Sequence, residues 1–577
     1  MRWPIPFPVP TSRWFGRVRG TVRQCSRRRR TAGSAMRQQA ATSCQRRRAT
    51  AESLQDPMDH IGSGGRPNAF VRAREPDRRP LAAGAGSTPP SPHERPHHRK
   101  PGRVGGTARA RVDTQGPDRS DQGRKMTVAD SHLAAELDAE SWRSMPAAQQ
   151  PDWPDPVGLR RVVDELRAAP PLVFPSECDR LRSRLAVVAR GGGFLLQGGD
   201  CAETFDGVSP AQVRAKLRTL AQMALVIGYA CAAPVVKVGR IAGQYSKPRS
   251  SPTETRDGRT LPSYRGDSVN GPEFGEQART PDPERLLRMY HSSMATLNVL
   301  RAFGGGGRSD LRRVHGWNEE FVSASPSGKH YQRLWEEIGA ALGFMRSLGA
   351  APETVGETEF FTSHEALVLE YESALTHGGG RPGEAYDLSG HMVWIGERTR
   401  RIDGAHVEFA SRIRNPIGIK LSAAAEPDEV LALIDKLDPH REPGRLTLIT
   451  RMGAQRVRAE LPALVEKVTA AGAPVVWVCD PMHGNTFEAA NGYKTRRFDD
   501  VLDELRGFLE VHRALGTHPG GVHLELTGDD VTECLGGGDD IGPDDLPERY
   551  RTACDPRLNR SQALDLAFRL AEMYRGA

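Results

Sequence analysis

Charged or metal-ligating side chains stand at or just after the ends of eight short apolar runs between residues 194 and 527. In chain order they are Asp200 and Cys201, Arg240, His364 and Glu365, Glu397 and Arg398, Lys420, Arg451, Asp480 and His483, and Glu525. Four of them are basic, and cations gathered in one place repel one another unless anions lie between them. Guanidinium groups also match the geometry of phosphate and carboxylate. The pattern predicts a site for a small molecule with two anionic groups.

A second basic stretch, GQYSKPRSSPTE, follows the second apolar run. It places Lys247, Arg249 and Ser250 within four consecutive residues. One interpretation is a second phosphate site, and the other is an ordinary exposed basic turn. The loop by itself fits both interpretations.

Several side chains could hold a metal ion. The first candidates are Cys201, His483, Glu525 and Asp555, and the competing ones are Cys479, Cys554 and His523. A thiolate, an imidazole and two carboxylates suit a first-row divalent ion such as manganese, cobalt, iron or zinc better than magnesium or calcium. A buried cysteine is also often only a small apolar residue.

The elements that must position these side chains are the apolar runs themselves. They are FLLQGG (194–199), VVKVGR (235–240), TEFFTS (358–363), MVWIGE (392–397), IGIKLS (417–422), LTLITR (446–451), PVVWVCD (474–480) and VHLELT (522–527). Short apolar runs that alternate with helical patterns indicate buried parallel strands, and eight such units favour a closed barrel. A barrel carries its active site at the C-terminal ends of its strands.

The spacing of the runs adds two features to an α/β, (β/α)8 TIM barrel over residues 191–577. The gap 241–357 is too long for one crossover helix, so we expect a helical insertion between strands two and three, at about 250–355, with helices at 283–303 and 331–349. An N-terminal helical extension is expected over 126–190, and a final helix over 561–575.

The first 125 residues differ from the rest in composition. They carry a net charge of +18, whereas residues 126–577 carry −10. The segment is rich in Arg and Pro without apolar periodicity, so we expect it to be disordered. It could be a nucleic-acid-binding or targeting arm. The interpretation we adopt is that translation begins at Met126, and that the segment is no part of the native enzyme.

The acidic body and the cysteines exclude several classes of protein. Non-specific nucleic-acid binding needs many Lys and Arg, so no nucleic-acid partner is expected for the folded part. The eight cysteines show no CxxC pair, which argues against a zinc ribbon or a disulfide scaffold and favours a reducing cytoplasm. No apolar window is long enough for a membrane helix. We expect a cytoplasmic protein with no membrane partner.

Longer stretches of the chain resemble the class II (plant-type) 3-deoxy-D-arabino-heptulosonate 7-phosphate (DAHP) synthases from about residue 140 to 577. The stretches are QGGDCAETF, KVGRIAGQYSKPRS, SHEALVLEYE, VWIGERTR, NPIGIKLS, CDPMHGNT, GTHPGGVHLELTGDDVTECLGG and CDPRLNRSQ. The resemblance implies a transferase that condenses phosphoenolpyruvate with D-erythrose 4-phosphate and water to DAHP and phosphate. This reaction is the first step of the shikimate pathway to chorismate and the aromatic amino acids.

The resemblance also implies roles for individual residues. The implied ligands of one divalent metal ion, Mn²⁺ or Co²⁺ first and Zn²⁺, Fe²⁺ or Cd²⁺ next, are Cys201, His483, Glu525 and Asp555. The implied phosphoenolpyruvate contacts are Arg240, Glu397, Arg398, Lys420 and Arg451. The implied erythrose 4-phosphate contacts are Lys247, Arg249 and Ser250. Catalytic roles fall on Lys247, Arg240 and Lys420, with Lys247 as the hypothetical proton donor to the new hydroxyl.

Two departures from the family pattern accompany this resemblance. Ser422 and Ala423 stand where a Gly-Pro pair is expected, near the substrate phosphate. The chain between Met126 and the PAAQQPDWPDP segment is short, in a region that helps to form inhibitor sites and subunit contacts in some members. We expect a homo-oligomer, a dimer or a tetramer, with aromatic amino acids as candidate effectors.

Two other functions remain open from the sequence. The first is an amino-sugar version of the same condensation, with an aminated tetrose phosphate as substrate. The second is a nucleic-acid-binding or regulatory protein that works through its basic N-terminal arm and has a retired barrel. An assay of phosphate release with phosphoenolpyruvate and erythrose 4-phosphate distinguishes DAHP synthesis from the amino-sugar reaction. A salt-dependent shift of nucleic acid by the full-length protein, lost when the chain starts at Met126, would support the nucleic-acid-binding function.

Overall fold

Eight parallel strands close into a barrel in the computed structural model, which describes residues 140–305, 311–324, 328–348, 359–380 and 384–576. The strands in chain order are β1 (Phe194–Gly199), β2 (Val235–Arg240), β3 (Thr253–Arg256), β4 (Arg259–Pro262), β5 (Phe360–Glu365), β6 (Thr376–Gly378), β7 (Ala385–Asp387), β8 (Met392–Ile395), β9 (Ile417–Ser422), β10 (Leu446–Arg451), β11 (Val476–Cys479), β12 (Thr486–Glu488), β13 (Lys494–Arg496) and β14 (Gly521–Glu525). The barrel order is β1, β14, β11, β10, β9, β8, β5, β2, and the other six strands form three antiparallel hairpins.

The predicted apolar runs all fall on barrel strands. Runs one, two, five and six coincide with β1, β2, β9 and β10. The third run is shifted, because β5 covers 360–365 rather than 358–363, so His364 and Glu365 are the last residues of the strand. The barrel strands β8, β11 and β14, which correspond to the fourth, seventh and eighth runs, are each shorter than those runs. The (β/α)8 barrel predicted from the sequence is confirmed.

Thirteen α-helices accompany the strands over the described residues. They are α1 (Pro156–Ala168), α2 (Pro175–Ala189), α3 (Pro210–Cys231), α4 (Glu276–Arg279), α5 (Glu284–Gly305), α6 (Leu311–Ala324), α7 (Gly328–Ser347), α8 (Leu369–Ala374), α9 (Ala405–Arg412), α10 (Pro427–Leu437), α11 (Val457–Ala470), α12 (Phe498–Ala514) and α13 (Arg560–Arg575). Three 3-10 helices cover Ser141–Ser144, Phe205–Gly207 and Pro543–Glu548. No described helix has both the length and the apolar character needed to span a membrane.

The insertion between β2 and β5 is helical, as predicted, but it holds more than the two predicted helices. It also contains the β3–β4 hairpin, the short α4 and the helix α6. Val314, Phe321 and Val322 of α6 are buried at helical spacing. The sequence prediction missed α6 because the glycine run at 304–307 just before it is typical of a loop. The predictions for 1–125 and for 126–139 lie outside the described residues.

One helix of the N-terminal extension closes the bottom of the barrel. Leu181, Leu185 and Val188 of α2 are fully buried and pack in one cluster with inward-facing strand residues, which include Leu195, Val236, Val238, Met392, Ile449 and Val478. Every second side chain of a strand points into the barrel. The inward-pointing polar residues lie near the C-terminal ends of the strands, so they face the opposite opening of the barrel. Because the bottom is sealed by apolar packing, the mouth at the C-terminal ends is the accessible end of the barrel.

Candidate active site

A cavity at the C-terminal mouth of the barrel collects the side chains that the sequence singled out. It is lined by Cys201, Arg240, Gln244, Lys247, Pro248, Arg249, Ser250, Glu365, Trp394, Gly396, Glu397, Arg398, Lys420, Arg451, His483, Thr486, Lys494 and Asp555. Every residue to which the resemblance assigns a role lines this cavity except Glu525, which is fully buried and contacts the lining residue His483. Of the other strand-end residues, Asp200, His364 and Asp480 are buried outside the lining. The structure thus brings together residues that are more than 350 positions apart in the chain.

Three of the four predicted metal ligands form one cluster, and the fourth, His483, contacts one of its members. Ligand atoms of Cys201, Glu525 and Asp555 all lie within 4.8 Å of one another. His483 Nε2 lies 3.1 Å from Glu525 Oε1, while its Nδ1 lies 2.7 Å from Asp480 Oδ2. Asp480 therefore fixes the ring so that Nε2 faces the cluster, as carboxylates commonly do for metal-binding histidines. A thiol and two carboxylates within 4.8 Å of one another, with an imidazole nitrogen beside one of the carboxylates, fit a divalent metal ion.

The three competing metal-ligand candidates differ in their positions relative to the cluster. Cys479 is buried among the apolar residues between the barrel and its outer helices. His523 contacts Arg240, and its Nδ1 lies 2.8 Å from Gln197 Oε1, so both ring nitrogens have protein partners. Cys554 forms a hydrogen bond with Cys201 that lowers the Cys554 pKa. Of the three, Cys554 alone lies beside the cluster.

The charges of the cluster are balanced by a lysine from the basic loop. Lys247 Nζ lies 2.9 Å from Cys201 Sγ, 2.5 Å from Asp555 Oδ2 and 3.9 Å from Glu525 Oε1. Burial disfavours ionised carboxylates, but His483, Arg496 and Lys247 hold the pKa of Glu525 well below its ordinary value. Lys247 likewise holds the pKa of Asp555 well below its ordinary value against burial. Both carboxylates are charged at neutral pH.

Two cations of this cluster were missed by the sequence prediction. Arg496 Nη2 donates to Glu525 Oε2 at 2.7 Å and is fully buried, and Lys494 pairs with Asp555. Both belong to β13, in a hairpin that follows the seventh barrel strand. The available signal was the KTRR run at 494–497, which lies outside any apolar run.

Arg240 is directed mainly at the protein. Its Nε donates to Asp200 O at 3.0 Å, and its Nη2 donates to Cys201 O at 3.2 Å and to Glu525 Oε1 at 3.1 Å. The guanidinium also lies 5.1 Å from the centre of the Trp394 ring. Arg240 thus orients two metal-ligand candidates, Cys201 and Glu525. This role is additional to the phosphoenolpyruvate contact predicted for it.

Three other cations are open to an anion in the cavity. Arg249 and Arg398 make no side-chain hydrogen bond or ion pair with the residues that the structure describes, and Arg451 donates only to His483 O, at 3.1 Å. Lys420 pairs with Asp480, and burial lowers its pKa to about 8 with help from Arg240 and against the charge of Asp480. These cations meet the requirement for two anionic groups.

The carboxylate of Glu397, predicted to contact phosphoenolpyruvate, is hydrogen-bonded to protein groups. Its Oε1 accepts hydrogen bonds from Arg400 Nη2 at 3.1 Å and from Ser422 Oγ at 2.9 Å, and its Oε2 accepts from Ser422 N at 2.8 Å. The carboxylate therefore holds the C-terminal end of β9, although it also lines the cavity. Ser422, which stands at the expected Gly-Pro pair, is the residue it binds.

Glu365 is a further cavity residue that the sequence prediction left without a role. Its Oε1 is buried and has no hydrogen-bond partner among the described residues, and a Cβ at Gly396 would overlap it. Burial raises the pKa of this carboxyl, although Lys247, Lys420 and Arg240 oppose the shift. A buried cavity carboxyl group with a raised pKa is a candidate for proton transfer.

The chain is similar to several known proteins. The profile of the class-II DAHP synthetase family matches residues 137–571. A phospho-2-dehydro-3-deoxyheptonate aldolase of Streptomyces coelicolor is 67% identical over 435 residues, which are 75% of this chain and 97% of that protein. The phospho-2-dehydro-3-deoxyheptonate aldolase AroG of Mycolicibacterium smegmatis is 53% identical over 441 residues, 76% of this chain and 94% of that protein. A solved phospho-2-dehydro-3-deoxyheptonate aldolase of Francisella tularensis SCHU S4 has a TM-score of 0.38 and 13% identity over 72% of this chain and 96% of its own.

Proposed function

The chain belongs to the class-II DAHP synthetase family, and on this premise we propose that its barrel mouth condenses phosphoenolpyruvate with erythrose 4-phosphate. The products are DAHP and inorganic phosphate, at the first step of the shikimate pathway. The observation that carries the proposal is that one cavity is lined by cations of the barrel strands, by cations of the loop after β2 and by metal-ligand candidates. Release of phosphate from phosphoenolpyruvate that depends on erythrose 4-phosphate tests it, and its absence with metal present contradicts it.

The two phosphorylated substrates occupy the two groups of cations in this proposal. Arg398, Lys420 and Arg451 bind the phosphate and carboxylate of phosphoenolpyruvate, since their side chains line the cavity with few protein partners. Arg249 and Ser250, on the loop after β2, bind the phosphate of the aldose. Lys247, on the same loop, contacts the metal-ligand candidates Cys201 and Asp555. Holding both reactants in one orientation supplies much of the rate enhancement.

Cys201, His483, Glu525 and Asp555 would hold one divalent metal ion, Mn²⁺ or Co²⁺ first. When bound, such an ion acts as a Lewis acid toward the aldehyde oxygen. Lys247 donates a proton to this oxygen, which becomes the new hydroxyl, because the Lys247 ammonium already lies among the ligand atoms. The methylene carbon of phosphoenolpyruvate forms the new carbon–carbon bond to the aldehyde carbon, whose C=O electron pair moves to the oxygen, and the adjacent enol carbon is left electron-poor. Water adds to this carbon and loses a proton. The hemiketal phosphate then breaks its carbon–oxygen bond to phosphate, and the carbon becomes the ketone of the product as inorganic phosphate leaves.

Glu365 receives the proton of the added water in this scheme. Its unpartnered Oε1 is buried in the cavity, and Lys420 and Arg240 are close enough to affect its ionisation. General base catalysis contributes about 10²-fold to 10⁴-fold to a rate. We therefore expect Glu365→Gln to lower kcat by about a hundredfold or more, with little change in either KM.

The measurement is steady-state phosphate release at saturating metal for Glu365→Gln. Glu442→Gln is the matched control, because Glu442 binds Arg182 and Arg414 away from the cavity lining. The control should retain the kcat of the natural protein. A kcat of Glu365→Gln equal to that of the control would rule out the role of this carboxyl in proton transfer.

Lys420 gives the reaction a pH dependence. Its pKa of about 8 means that the ammonium is charged below this pH and loses its charge as the pH rises through it. Because the charged form binds the anionic substrate, kcat/KM for phosphoenolpyruvate should fall above about pH 8, by about tenfold per pH unit at the limit. Arginine stays charged over this range, so Lys420→Arg should move the decline to higher pH. A profile that declines identically in both proteins would assign the titration to another group.

A further inference from the structure

A buried chain of ion pairs lies behind the metal-ligand cluster, outside the cavity lining. It runs from Glu533 through Arg557 and Asp200 to Lys216. We propose that Glu533 and Arg557 form a strut that sets the separation of Cys201 from Asp555 and so determines the metal affinity of the site. The inference rests on the proposed metal site and concerns positioning residues that touch neither substrate nor metal.

The strut begins at Glu533, whose carboxylate closes a loop around Asp555. Glu533 is fully buried in the segment after β14. Its Oε1 accepts from Arg551 N at 3.1 Å, and its Oε2 accepts from Arg557 N at 2.8 Å. The two amides stand at the two ends of the loop 551–557, so one carboxylate fixes the opening of the loop that carries Asp555. A charged, fully buried acceptor with several hydrogen bonds is held rigidly.

Arg557 then connects this loop to the end of the first barrel strand. Its Nη2 donates to Glu533 Oε1 at 2.8 Å and its Nε to Glu533 Oε2 at 3.0 Å, while its Nη1 donates to Asp200 Oδ1 at 2.6 Å. The second oxygen of Asp200 pairs with Lys216 of α3. Burial opposes the ionisation of Asp200, yet Lys216 and Arg557 hold its pKa below the ordinary value. The planar guanidinium thus binds two carboxylates at a fixed distance.

The ends of the strut adjoin metal-ligand candidates on both sides. Asp200 is bonded in sequence to Cys201, and Arg557 follows Asp555 by two positions. Within the loop, Thr552 Oγ1 donates to Asp555 O at 2.7 Å, and Asp555 N lies 3.3 Å from Cys201 Sγ. A change in the length of the strut therefore moves the thiol relative to the Asp555 carboxylate. The mechanism gives these ion pairs no other task.

The test is the dissociation constant of Mn²⁺ and of Co²⁺ for the full chain, measured by competition with a chromophoric chelator. Residues that orient metal ligands typically change metal affinity by about 10-fold to 100-fold when replaced. We expect Glu533→Gln and Arg557→Met to weaken both metals by about tenfold or more, and Arg557→Lys to give a smaller loss. At saturating metal, the KM values for both substrates should stay within about twofold of those of the natural protein.

Glu442→Gln, which removes a carboxylate that joins two arginines away from the barrel mouth, is the control and should leave metal affinity unchanged. Cys201→Ser tests the proposed metal site itself and should weaken metal more than any strut variant. If Cys201→Ser weakens binding but Glu533→Gln and Arg557→Lys do not, the strut is wrong and the metal site stands. If Cys201→Ser leaves metal affinity intact, the metal site itself is wrong. Thermal unfolding without metal identifies a variant that fails to fold, and Arg557→Lys then decides the outcome.

Discussion

Cys201→Ser should remove nearly all activity together with the bound metal. The thiol is fully buried within 4.8 Å of the carboxylate oxygens of Glu525 and Asp555. Burial raises its pKa well above the ordinary value, so the thiolate forms when a metal cation replaces the proton. A serine hydroxyl is a far poorer ligand at neutral pH. Loss of several kcal/mol of Lewis-acid stabilisation corresponds to about a thousandfold or more in kcat/KM.

Metal content of the purified protein and steady-state phosphate release are the two measurements for Cys201→Ser. Cys554→Ser is the matched control, because Cys554 forms a hydrogen bond with Cys201 and is the one competing cysteine beside the cluster. The control should keep its metal and most of its activity. If Cys554→Ser loses metal instead, the assignment of the sulfur ligand is reversed. If neither variant loses metal, the cluster is not the metal site.

Lys247→Met should lower turnover by about a hundredfold or more while the protein keeps its metal. The ammonium contacts Cys201 Sγ and Asp555 Oδ2. In the proposed reaction the former aldehyde oxygen needs a proton at this place to become a hydroxyl group. General acid catalysis contributes about 10²-fold to 10⁴-fold. Removal of a positive charge from among anionic ligands favours the binding of another cation. Metal affinity should therefore stay equal or become tighter.

The separation of these two effects identifies the role of Lys247. Turnover is measured at saturating metal and substrates, and metal affinity is measured by competition with a chelator. Lys247→Arg is a useful second variant, because it restores the charge but not the readily transferred proton. It should bind erythrose 4-phosphate better than Lys247→Met without recovering kcat. Unchanged turnover in Lys247→Met would refute the proton-donor role.

The sequence predicted the barrel well because strand periodicity is local information. β1, β2, β9 and β10 have the predicted ends, and the barrel geometry then places Cys201, Arg240, Lys420 and Arg451 at one mouth. The contact between Asp480 and His483 is also local in sequence. His483 follows Asp480 by three positions at the end of a strand, so its imidazole can reach the carboxylate.

Residues on irregular segments could not be predicted in this way. Arg496 reaches Glu525 from a hairpin, and Glu533 and Arg557 meet across a loop whose path no periodicity determines. Glu397 lies at the mouth of the barrel as predicted, but its hydrogen bond with Ser422 could be identified only from the structure. Local patterns therefore locate the strand ends, whereas the direction and partners of a buried charge depend on the whole fold.

The most direct test of the account is phosphate release from phosphoenolpyruvate and erythrose 4-phosphate after exhaustive chelation, followed by addition of single divalent metals. We predict that chelation abolishes product formation, that Mn²⁺ or Co²⁺ restores it, and that one metal ion per chain suffices. Full turnover by metal-free protein would contradict the proposed role of the Cys201, His483, Glu525 and Asp555 cluster. No turnover with any added metal would contradict the assigned substrate pair.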